Sequence, residues 1–424
     1  MAQRATIHRA PIQRAPIQYA GWRSRQGASG AVMQSGYDVV VVGARCAGAS
    51  TAMLLARAGL RVLLVDRTAV GSDIINGNVV KAGGAERLRA WGILDALWRA
   101  GTPALTRRRI SCASFDVEVS NPEGAAAWCA PRRFLLDRLL VEAAAEAGAE
   151  VRDGTAVRGL VWDDGRVTGV RLAGRDGRDQ PVPAGLVVGA DGRNSLVARS
   201  AGAKAYGTHP TASAWYWAFW SGLPASDALT MHFRERRLCG VFPTNDGLTI
   251  LAIEAPWEER RAFQENPESA YLADLATFAA VADVTDGGSR EGRVLGMVEL
   301  PNFFRVPFGP GWALVGDAGH HKDPAGARGI SDALRDAELC ALAVLRGFAR
   351  GSLATELAGY QAARDRATME VHEINVELAR LDRPAVEMPL LVRRLGEAED
   401  AADAAFPPLA TAGGVLPSGL IEAT

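Results

Sequence analysis

The stretch YDVVVVGARCAGASTAMLLARAGLRVLLVD, residues 37–66, decides the fold. It opens with a nearly unbroken β-branched run, which is typical of a parallel strand covered on both faces. A segment rich in helix-forming residues follows and ends at Gly59, and a second apolar run ends at Asp66. This order predicts a strand–helix–strand unit of the dinucleotide-binding type, with an acidic residue where such units bind ribose hydroxyls.

The turn after the first strand, GARCAG at residues 43–48, fills two of the three glycine positions of a GxGxxG fingerprint. Gly43 is expected to form the tight turn and Gly48 to allow close packing of the helix on the strand. Arg45 stands at the middle position. We expect its side chain to turn outward, so that its amide faces a phosphate and its charge adds to the positive helix N-terminus. A plain helix-entry turn is the alternative, and Cys46 is expected to be a packing residue.

Two later stretches repeat this plan of strand, turn and helix. LVVGADGRNSLVARSAGA, residues 186–203, places its turn at Asp191-Gly192. GPGWALVGDAGHHKDPAGARGISDALRDAELCALAVL, residues 309–345, places its turn at Gly316-Asp317 and continues into a loop and a long helix. The ends of these strands are therefore expected to converge on one site.

The order and spacing of the three motifs along residues 37–345 resemble those of the class A flavoprotein monooxygenases, the para-hydroxybenzoate hydroxylase family. The family's GxGxxG turn, DG motif and GDAAHxxxPxxGxGxN motif correspond to Gly43–Gly48, Asp191-Gly192 and the run Gly316-Asp317-Ala318-Gly319-His320 with Pro324 and Gly329. The sequence departs from the family at three positions: Arg45 and Ala327 replace glycines, and Ser331 replaces an asparagine.

The resemblance implies FAD bound in an extended form, with NAD(P)H as a transient co-substrate. It assigns Asp66 to the ribose hydroxyls, Arg133 of RFLLDRLL to the phosphates, Val157 to the adenine through its backbone, and Asp317 to the ribityl chain or phosphate. A helix that begins near Gly329 would aim its amides at the pyrimidine edge of the flavin, where Arg328 either adds its charge or is solvated. The complete expected FAD-contact set is Gly43, Ala44, Arg45, Ala47, Gly48, Asp66, Arg67, Arg133, Val157, Asp191, Gly192, Gly316, Asp317, Ala318, Pro324, Arg328, Gly329, Ile330 and Ser331.

An aromatic segment, SAWYWAFWSG at residues 213–222, lies between the second and third motifs. Strand periodicity places Trp215, Trp217 and Phe219 on one face, and Tyr216 and Trp220 on the other. The first face is either a core or subunit-interface surface, or a stacking wall that binds a flat aromatic substrate over the flavin.

The loop GHHKDP, residues 319–324, is expected beside the flavin ring. His320 and Lys322 are the first candidates for a base that withdraws a substrate proton, ahead of His321 and Asp323. Alternatively, these polar groups cap the next helix and face water. We expect no metal site here, because adjacent histidines point apart.

The predicted function is that of an FAD-dependent, NAD(P)H-using monooxygenase. As the resemblance implies, it hydroxylates or epoxidises an aromatic or polycyclic small molecule with dioxygen through a flavin C(4a)-hydroperoxide. Three alternatives stay open. A flavin halogenase is disfavoured because AWYWAFW lacks the Ile-Pro of that family's WxWxIP signature. A flavin reductase of isoprenoid double bonds shares the motif order and the GDAG form, and a non-catalytic flavin sensor is the third.

The predicted fold is α/β: a Rossmann-like FAD-binding domain interleaved with an antiparallel-sheet substrate domain and followed by a helical region. The FAD-binding domain is assigned residues 36–110, 130–205 and 301–345, and the substrate domain 111–129 and 206–300. Residues 346–424 should pack over the substrate domain or form a homodimer contact. The repeat RAPIQRAPIQ marks residues 1–35 as a flexible arm, because its prolines oppose helix and sheet.

The composition of the chain limits the classes of binding partner that are expected. Lys and Arg total 47 against 48 Asp and Glu without a basic stripe, so nucleic acid is not expected. The RRR run at 107–109 is either a solvated charge cluster or a contact for NAD(P)H. Five scattered cysteines without a CxxC pair indicate neither disulfides nor zinc, and no apolar run is long enough to span a membrane. A soluble cytoplasmic protein is therefore predicted.

Overall fold

The computed structural model describes residues 36–71, 77–174, 177–410 and 413–422 of the 424-residue chain. The predicted arm, residues 1–35, lies outside the described residues. The strands are β1 Tyr37–Val42, β2 Val62–Val65, β3 Arg107–Cys112, β4 Phe115–Ser120, β5 Glu150–Arg152, β6 Val157–Asp163, β7 Arg166–Ala173, β8 Asp179–Gly189, β9 Ala205–His209, β10 Ser213–Ser221, β11 Ala228–Arg234, β12 Arg237–Pro243, β13 Thr249–Pro256, β14 Ser289–Met297, β15 Asn302–Arg305, β16 Phe308–Gly309, β17 Trp312–Leu314 and β18 His320–His321. The α-helices are α1 Cys46–Arg57, α2 Ala82–Ala90, α3 Leu94–Arg99, α4 Arg133–Glu146, α5 Leu196–Ser200, α6 Arg260–Glu265, α7 Pro267–Leu275, α8 Ala279–Thr285, α9 Gly329–Arg350, α10 Leu353–Ala379, α11 Met388–Ala405 and α12 Ser418–Glu422.

An eight-stranded sheet carries the three motifs. Its path is β16-β17-β8-β1-β2-β5, and the β6–β7 hairpin joins it through β8. The pairs β17–β8, β8–β1, β1–β2 and β2–β5 are parallel. Helices α1, α4 and α9 pack on one face of this sheet, while the hairpin and α5 cover the other. The strands are apolar on both sides because both faces are covered, which confirms the α/β prediction.

A seven-stranded sheet forms the second layer, in the order β14-β10-β13-β12-β11-β3-β4. Its pairs are antiparallel except β11–β3. The turn at Asn245–Gly247 joins β12 to β13, with Asp246 and Gly247 at positive φ, as the Asn-Asp-Gly sequence predicts. Strand β3 spans Arg107–Cys112, so the domain boundary predicted at 110/111 falls inside a strand of this sheet.

Helices cover both faces of the seven-stranded sheet. Helices α10 and α11 pack on the face that carries Trp215 and Trp217, and α6, α7 and α8 pack on the face of Tyr216 and Trp220. The side-chain alternation predicted for this strand is therefore confirmed. The C-terminal helices lie over the substrate sheet, the first of the two placements expected from the sequence.

A small sheet, β18-β15-β9, lies beside the third motif, because β18 is part of the 319–324 loop. Among the described helices, none has the length and apolarity needed to cross a bilayer.

Candidate functional site

The first turn depends on glycine at two positions. Gly43 has φ +103°, and a Cβ built there would lie 2.4 Å from the carbonyl oxygen of Ala190. A Cβ at Gly48 would lie 1.8 Å from the carbonyl oxygen of Gly43. Any side chain at either position would collide with backbone, so this turn requires glycine where the fingerprint has it.

Arg45 fits the middle position because its backbone is extended, with φ −93° and ψ −168°. Its carbonyl accepts the first helical bond of α1, from the amide of Ala49 at 2.8 Å. The N–H groups of Cys46, Ala47 and Gly48 precede that bond and remain at the helix N-terminus for an external acceptor. An arginine therefore leaves the phosphate-binding end of the helix intact.

The three turns converge on one site. Gly43 touches Ala190, which directly precedes Asp191-Gly192, and a Cβ at Gly316 would lie 2.7 Å from the Cβ of Ala47. The guanidinium of Arg305 reaches both later turns, donating to the carbonyl of Ala318 at 2.8 Å and to that of Arg193 at 3.0 Å.

Asp66 closes the turn from the end of β2. Its carboxylate accepts the amide of Ala44 at 2.8 Å and the amide and hydroxyl of Thr68 at 2.8 and 2.7 Å. A carboxylate has about four acceptor sites, so capacity remains for further donors. Asp66 lines a shallow open cleft together with Ala44, Arg45, Thr68, Ala69, Val70, Gly71 and Asp137. Arg67 is exposed beside it, and Val157 begins β6.

Asp137 is a member of this cleft that sequence reasoning missed. It accepts from Arg45 at 3.1 Å and from Arg133 at 3.0 Å, so it holds two guanidinium groups at the turn. The signal was available: Asp137 follows Arg133 by four residues, which places both on one helix face. The thiol of Cys46 lies 3.4 Å from Asp137, and burial raises its pKa to about 12, consistent with a packing residue.

Asp191 serves as a helix cap. Its carboxylate accepts the hydroxyl of Ser195 at 2.5 Å and the amides of Leu196 and Val197 at 2.6 and 3.2 Å. Burial raises its pKa, and these donors oppose that shift. Gly192 follows at φ +78°. The second motif therefore fixes the start of α5 next to the first turn.

The third motif leaves Asp317 exposed between the buried residues Gly316 and Ala318. Gly329, the first residue of α9, is also exposed. Ala327 has the left-handed values φ 50° and ψ 35°, at a position where the resembled family has glycine. Pro324 is half-buried.

The remaining members of the predicted set lie deeper. Ile330 and Ser331 are buried, and the hydroxyl of Ser331 accepts the amide of Lys81 at 3.0 Å. Arg328 is 3% exposed and pairs with Asp332 at 3.0 Å and Asp403 at 2.5 Å, so the expectation of a solvated arginine is wrong.

His320 and Lys322 are buried in pairs and do not face water. His320 Nε2 lies 3.2 Å from His372 Nδ1, and its ring stacks on Phe304 at 4.1 Å. Burial, with the charge of Lys322, lowers the pKa of His320 well below its usual value. Lys322 Nζ lies 2.6 Å from Asp332 Oδ2. The alternative of a water-facing helix cap is therefore wrong for these two side chains.

His321, adjacent in β18, has a different environment, as expected from strand alternation. Its Nδ1 lies 2.5 Å from the carbonyl oxygen of Pro301. Burial lowers its pKa, while the charge of exposed Asp317 opposes that shift. His321 therefore differs from His320 in its hydrogen-bond partner and in its charged neighbours.

The aromatic strand is linked directly to the 319–324 loop. Trp215 Nε1 donates to Asp323 Oδ1 at 3.1 Å, and the hydroxyl of Ser213 donates to Asp323 Oδ2 at 2.6 Å. Burial raises the pKa of Asp323 to about 6. Glu254, opposite Trp215 on β13, is fully buried, and burial followed by the charge of Asp323 raises its pKa well above the usual value. Trp217 is buried on the same face, and Phe219 is half-buried.

The RRR run lies in β3. Arg107 pairs with Asp227 and Glu118, and Arg109 pairs with Asp116. Arg108 instead stacks over Trp128, with its guanidinium carbon 5.0 Å from the ring centre. The outer two arginines form surface ion pairs.

Comparison with known proteins finds a matching family profile, related sequences and similar solved structures. The profile of a family described as "FAD binding domain" matches residues 36–374. Digeranylgeranylglycerophospholipid reductase 1 of Methanopyrus kandleri is 33% identical over 315 residues, which cover 70% of this chain and 77% of that protein. The 6-methylpretetramide 4-monooxygenase of Streptomyces rimosus is 28% identical over 342 residues, covering 78% and 81%. The solved structure of the flavin-dependent brominase Bmp2 superposes with a TM-score of 0.75 at 18% identity, covering 90% of this chain and 94% of that chain.

Proposed function

The chain belongs to the FAD binding domain family, whose profile spans residues 36–374, and from this premise we propose that it oxygenates a flat, polycyclic aromatic molecule. Membership makes it an FAD-dependent oxidoreductase. The proposal adds that dioxygen is the oxidant, NAD(P)H the reductant and a hydroxylated or epoxidised aromatic compound the product.

The residues around the three turns fit FAD. The Gly43 and Gly48 turn leaves no room for a Cβ, and the amides at the start of α1 point out of that turn for an anion. The cleft beside Asp66 suits an adenosine ribose. Arg133 and the helix end would hold the pyrophosphate, and exposed Asp317 would meet the ribityl chain.

Bound and reduced, FAD supplies the electrons that activate dioxygen. The chain's own part is to position the ring and exclude water. The exposed start of α9 at Gly329 presents unpaired amides and a positive dipole, which favour negative charge at the pyrimidine edge. Helices α10 and α11 cover the substrate sheet and limit access of water to it.

One observation carries the choice of an aromatic substrate. Trp215 and Trp217 are buried against α10 and α11, Phe219 is half-buried, and the Trp215–Asp323 bond ties this aromatic strand to the 319–324 loop. Aromatic walls stack with flat rings. The similarity to the 6-methylpretetramide 4-monooxygenase, which covers 78% of this chain, supports the same substrate class.

For proton transfer, we propose His321 in place of the two residues ranked first from the sequence. His320 and Lys322 are engaged with His372 and Asp332, so we assign them to holding the loop. His321 interacts electrostatically with Asp317, the exposed acid of the third motif.

The test begins with purified protein and added FAD. Polycyclic aromatic compounds are screened for those that accelerate NAD(P)H oxidation, with oxygen consumption and product mass followed in parallel. The proposal expects a yellow protein, substrate-stimulated oxygen uptake and a product heavier by one oxygen atom. Product formation without oxygen uptake would reject the monooxygenase assignment, as would a strict requirement for bromide or chloride.

A second candidate is a flavin-dependent reductase of isoprenoid double bonds. It is favoured by the 33% identity to the digeranylgeranylglycerophospholipid reductase and by the GDAG form of the third motif. To test this candidate, reduced protein is mixed with a geranylgeranyl lipid in the absence of oxygen. A product heavier by two hydrogens under those conditions, with no aromatic hydroxylation in air, would favour this candidate instead.

A further inference from the structure

A second cluster of side chains lies outside the flavin cleft, where β9 meets α10. His209 is the last residue of β9, and His372 and Glu373 are adjacent on α10. One ligand atom from each lies within 4.8 Å of the other two. We propose that His209, His372 and Glu373 bind one divalent transition-metal ion, with Zn²⁺ as the first candidate.

The spacing of the donors is close to that of a metal site. His209 Nε2 and Glu373 Oε1 are 3.2 Å apart. Ligand atoms around a tetrahedral zinc ion are roughly 3.3 Å apart, given bonds of about 2.0–2.1 Å. The rings of His209 and His372 have centroids 5.7 Å apart, inclined at 44°. Metal binding would therefore require the His372 ring to move closer to the other two ligands.

A separate observation points to a ligand at His372. Its side chain is fully buried, and Nε2 completes no well-aligned hydrogen bond with a described residue, although the ring makes a weaker backbone hydrogen bond to Gly207. A buried polar atom without a partner destabilises a fold. A metal ion bonded to Nε2 would satisfy it.

The other nitrogen of His372 already has the partner that metal-binding histidines have. Nδ1 lies 3.2 Å from Nε2 of His320, which stacks flat on Phe304. Ligand histidines commonly donate their second N–H to a fixed acceptor, which sets the ring orientation. His320 would accept that bond, so one of the two residues ranked first for catalysis from the sequence would support a metal ligand.

The chemical types of the three ligands indicate which metal ion would bind. Two imidazoles and one carboxylate suit Zn²⁺ with water in the fourth position, and disfavour Ca²⁺ and Mg²⁺, which prefer oxygen ligands. The ion would bridge β9 to α10. Because β9 pairs with β15 and β15 with β18, it would also brace the strand that leads into the 319–324 loop. The role is structural and independent of the proposed oxygenation.

The test uses the tag-free holoprotein, stripped with a chelator and titrated with Zn²⁺ or Co²⁺ alone. We expect about one equivalent of metal bound per chain. Bound Co²⁺ should show visible d–d absorption of the intensity typical of four- or five-coordinate sites, and Zn²⁺ should raise the unfolding temperature by a few degrees. Affinity should fall as pH falls, because imidazole ligands must be deprotonated.

Variants separate this site from adventitious binding. His209→Ala and Glu373→Gln change partly exposed side chains and should each weaken the metal Kd by about a hundredfold, with FAD content unchanged. Glu370→Gln, exposed on the same helix, is the matched control and should bind like the wild type. The proposal is overturned if the wild type binds no metal, or if His209→Ala binds it as tightly. In that case the His209–Glu373 contact is a surface ion pair.

Discussion

Two positions of the first turn place opposite demands on the backbone. Gly43 has φ +103° and no room for a Cβ, whereas Arg45 is extended and tolerates a side chain. Gly43→Ala should therefore abolish FAD binding. Arg45→Gly should retain it, with Kd raised by no more than about tenfold, because the guanidinium contributes one partly exposed charge.

Flavin absorbance after gel filtration, together with FAD titration of the apoprotein, measures both variants. Complete loss of FAD from Arg45→Gly would show that the guanidinium, and not the backbone, holds the phosphate. Circular dichroism on Gly43→Ala separates lost binding from lost folding.

Ala327 is a second residue whose backbone conformation has a measurable consequence. A non-glycine residue in the left-handed region costs about 1–2 kcal/mol, and Ala327 lies there at φ 50°. Ala327→Gly should relieve this strain, offset in part by the greater freedom of glycine in the unfolded chain, for a net gain of about 0.5–1 kcal/mol. Ala401→Gly, exposed inside α11, is the control and should lose about 1 kcal/mol in the same urea titration. If Ala327→Gly and Ala401→Gly lowered the free energy of unfolding equally, Ala327 would not be strained.

Glu254 should make stability depend on pH. Its folded pKa is raised, first by burial and then by Asp323, so the native state binds a proton that the unfolded chain has released above about pH 4.5. Stability from this group is complete below that pH and is lost as the pH rises toward the folded pKa. Glu254→Gln should therefore match the wild type near pH 4 and melt a few degrees higher at pH 8.

Thermal unfolding across this pH range measures the difference, with exposed Glu265→Gln as the control. The prediction is contradicted if the unfolding temperature of Glu254→Gln, measured against the wild type, is lower at pH 8 than at pH 4. That result would show that Glu254 is ionised in the folded protein.

At the scale of elements, the sequence predicted the features that are determined by a short local pattern of residues. The three turns, the alternation along β10 and the hairpin at Asn245–Gly247 follow from strand periodicity and from residues that require particular backbone angles. Each of these signals lies within about ten neighbouring residues, so the rest of the fold did not have to be known.

Long-range partners could not be predicted in this way. The environment of Lys322 and Arg328 is set by Asp332 on α9 and Asp403 on α11, and that of His320 by His372 on α10. A polar loop sequence does not reveal that three later helices will cover it. These residues were consequently expected to face substrate or water, and the structure buries them.

Burial of these residues gathers charged side chains around the start of α9. Asp332 is fully enclosed, and its carboxylate receives Lys322 at 2.6 Å, Arg328 at 3.0 Å and Arg335 at 2.9 Å. Burial alone would raise its pKa, but these three cations hold it well below the usual value. Arg328 also pairs with Asp403 and Arg335 with Asp336, so Asp332 is the acid that all three cations share.

Asp332→Asn should lower the free energy of unfolding by about 3 kcal/mol or more, because it leaves buried cations without their shared partner. Urea unfolding monitored by fluorescence measures it. Asp400→Asn, on an exposed face of α11, should change stability by less than about 0.5 kcal/mol. A near-neutral Asp332→Asn would show that the cations find other partners or are neutral.

At the scale of the whole molecule, the flavin cleft joins parts of the chain that are remote in sequence. In the binding mode we propose, the adenosine side is formed by residues 44–71 and Asp137, and the ring side by the third motif and α9, more than two hundred residues later. A ligand that contacts both ends stabilises all of these segments together. A ligand that reaches only one end stabilises less.

FAD and FMN test this division because FMN has the same ring system and lacks the adenylate. The unfolding temperature of the apoprotein should rise with FAD concentration, by an amount that corresponds to about 2.7 kcal/mol at a hundred times Kd. FMN at the same concentration should produce a much smaller rise, since the cleft lined by Asp66 and Arg45 would stay empty. Asp66→Asn should narrow the difference between the two ligands by weakening FAD alone. Equal stabilisation by FMN and FAD would mean that the turn at Gly43–Gly48 does not hold the adenylate half.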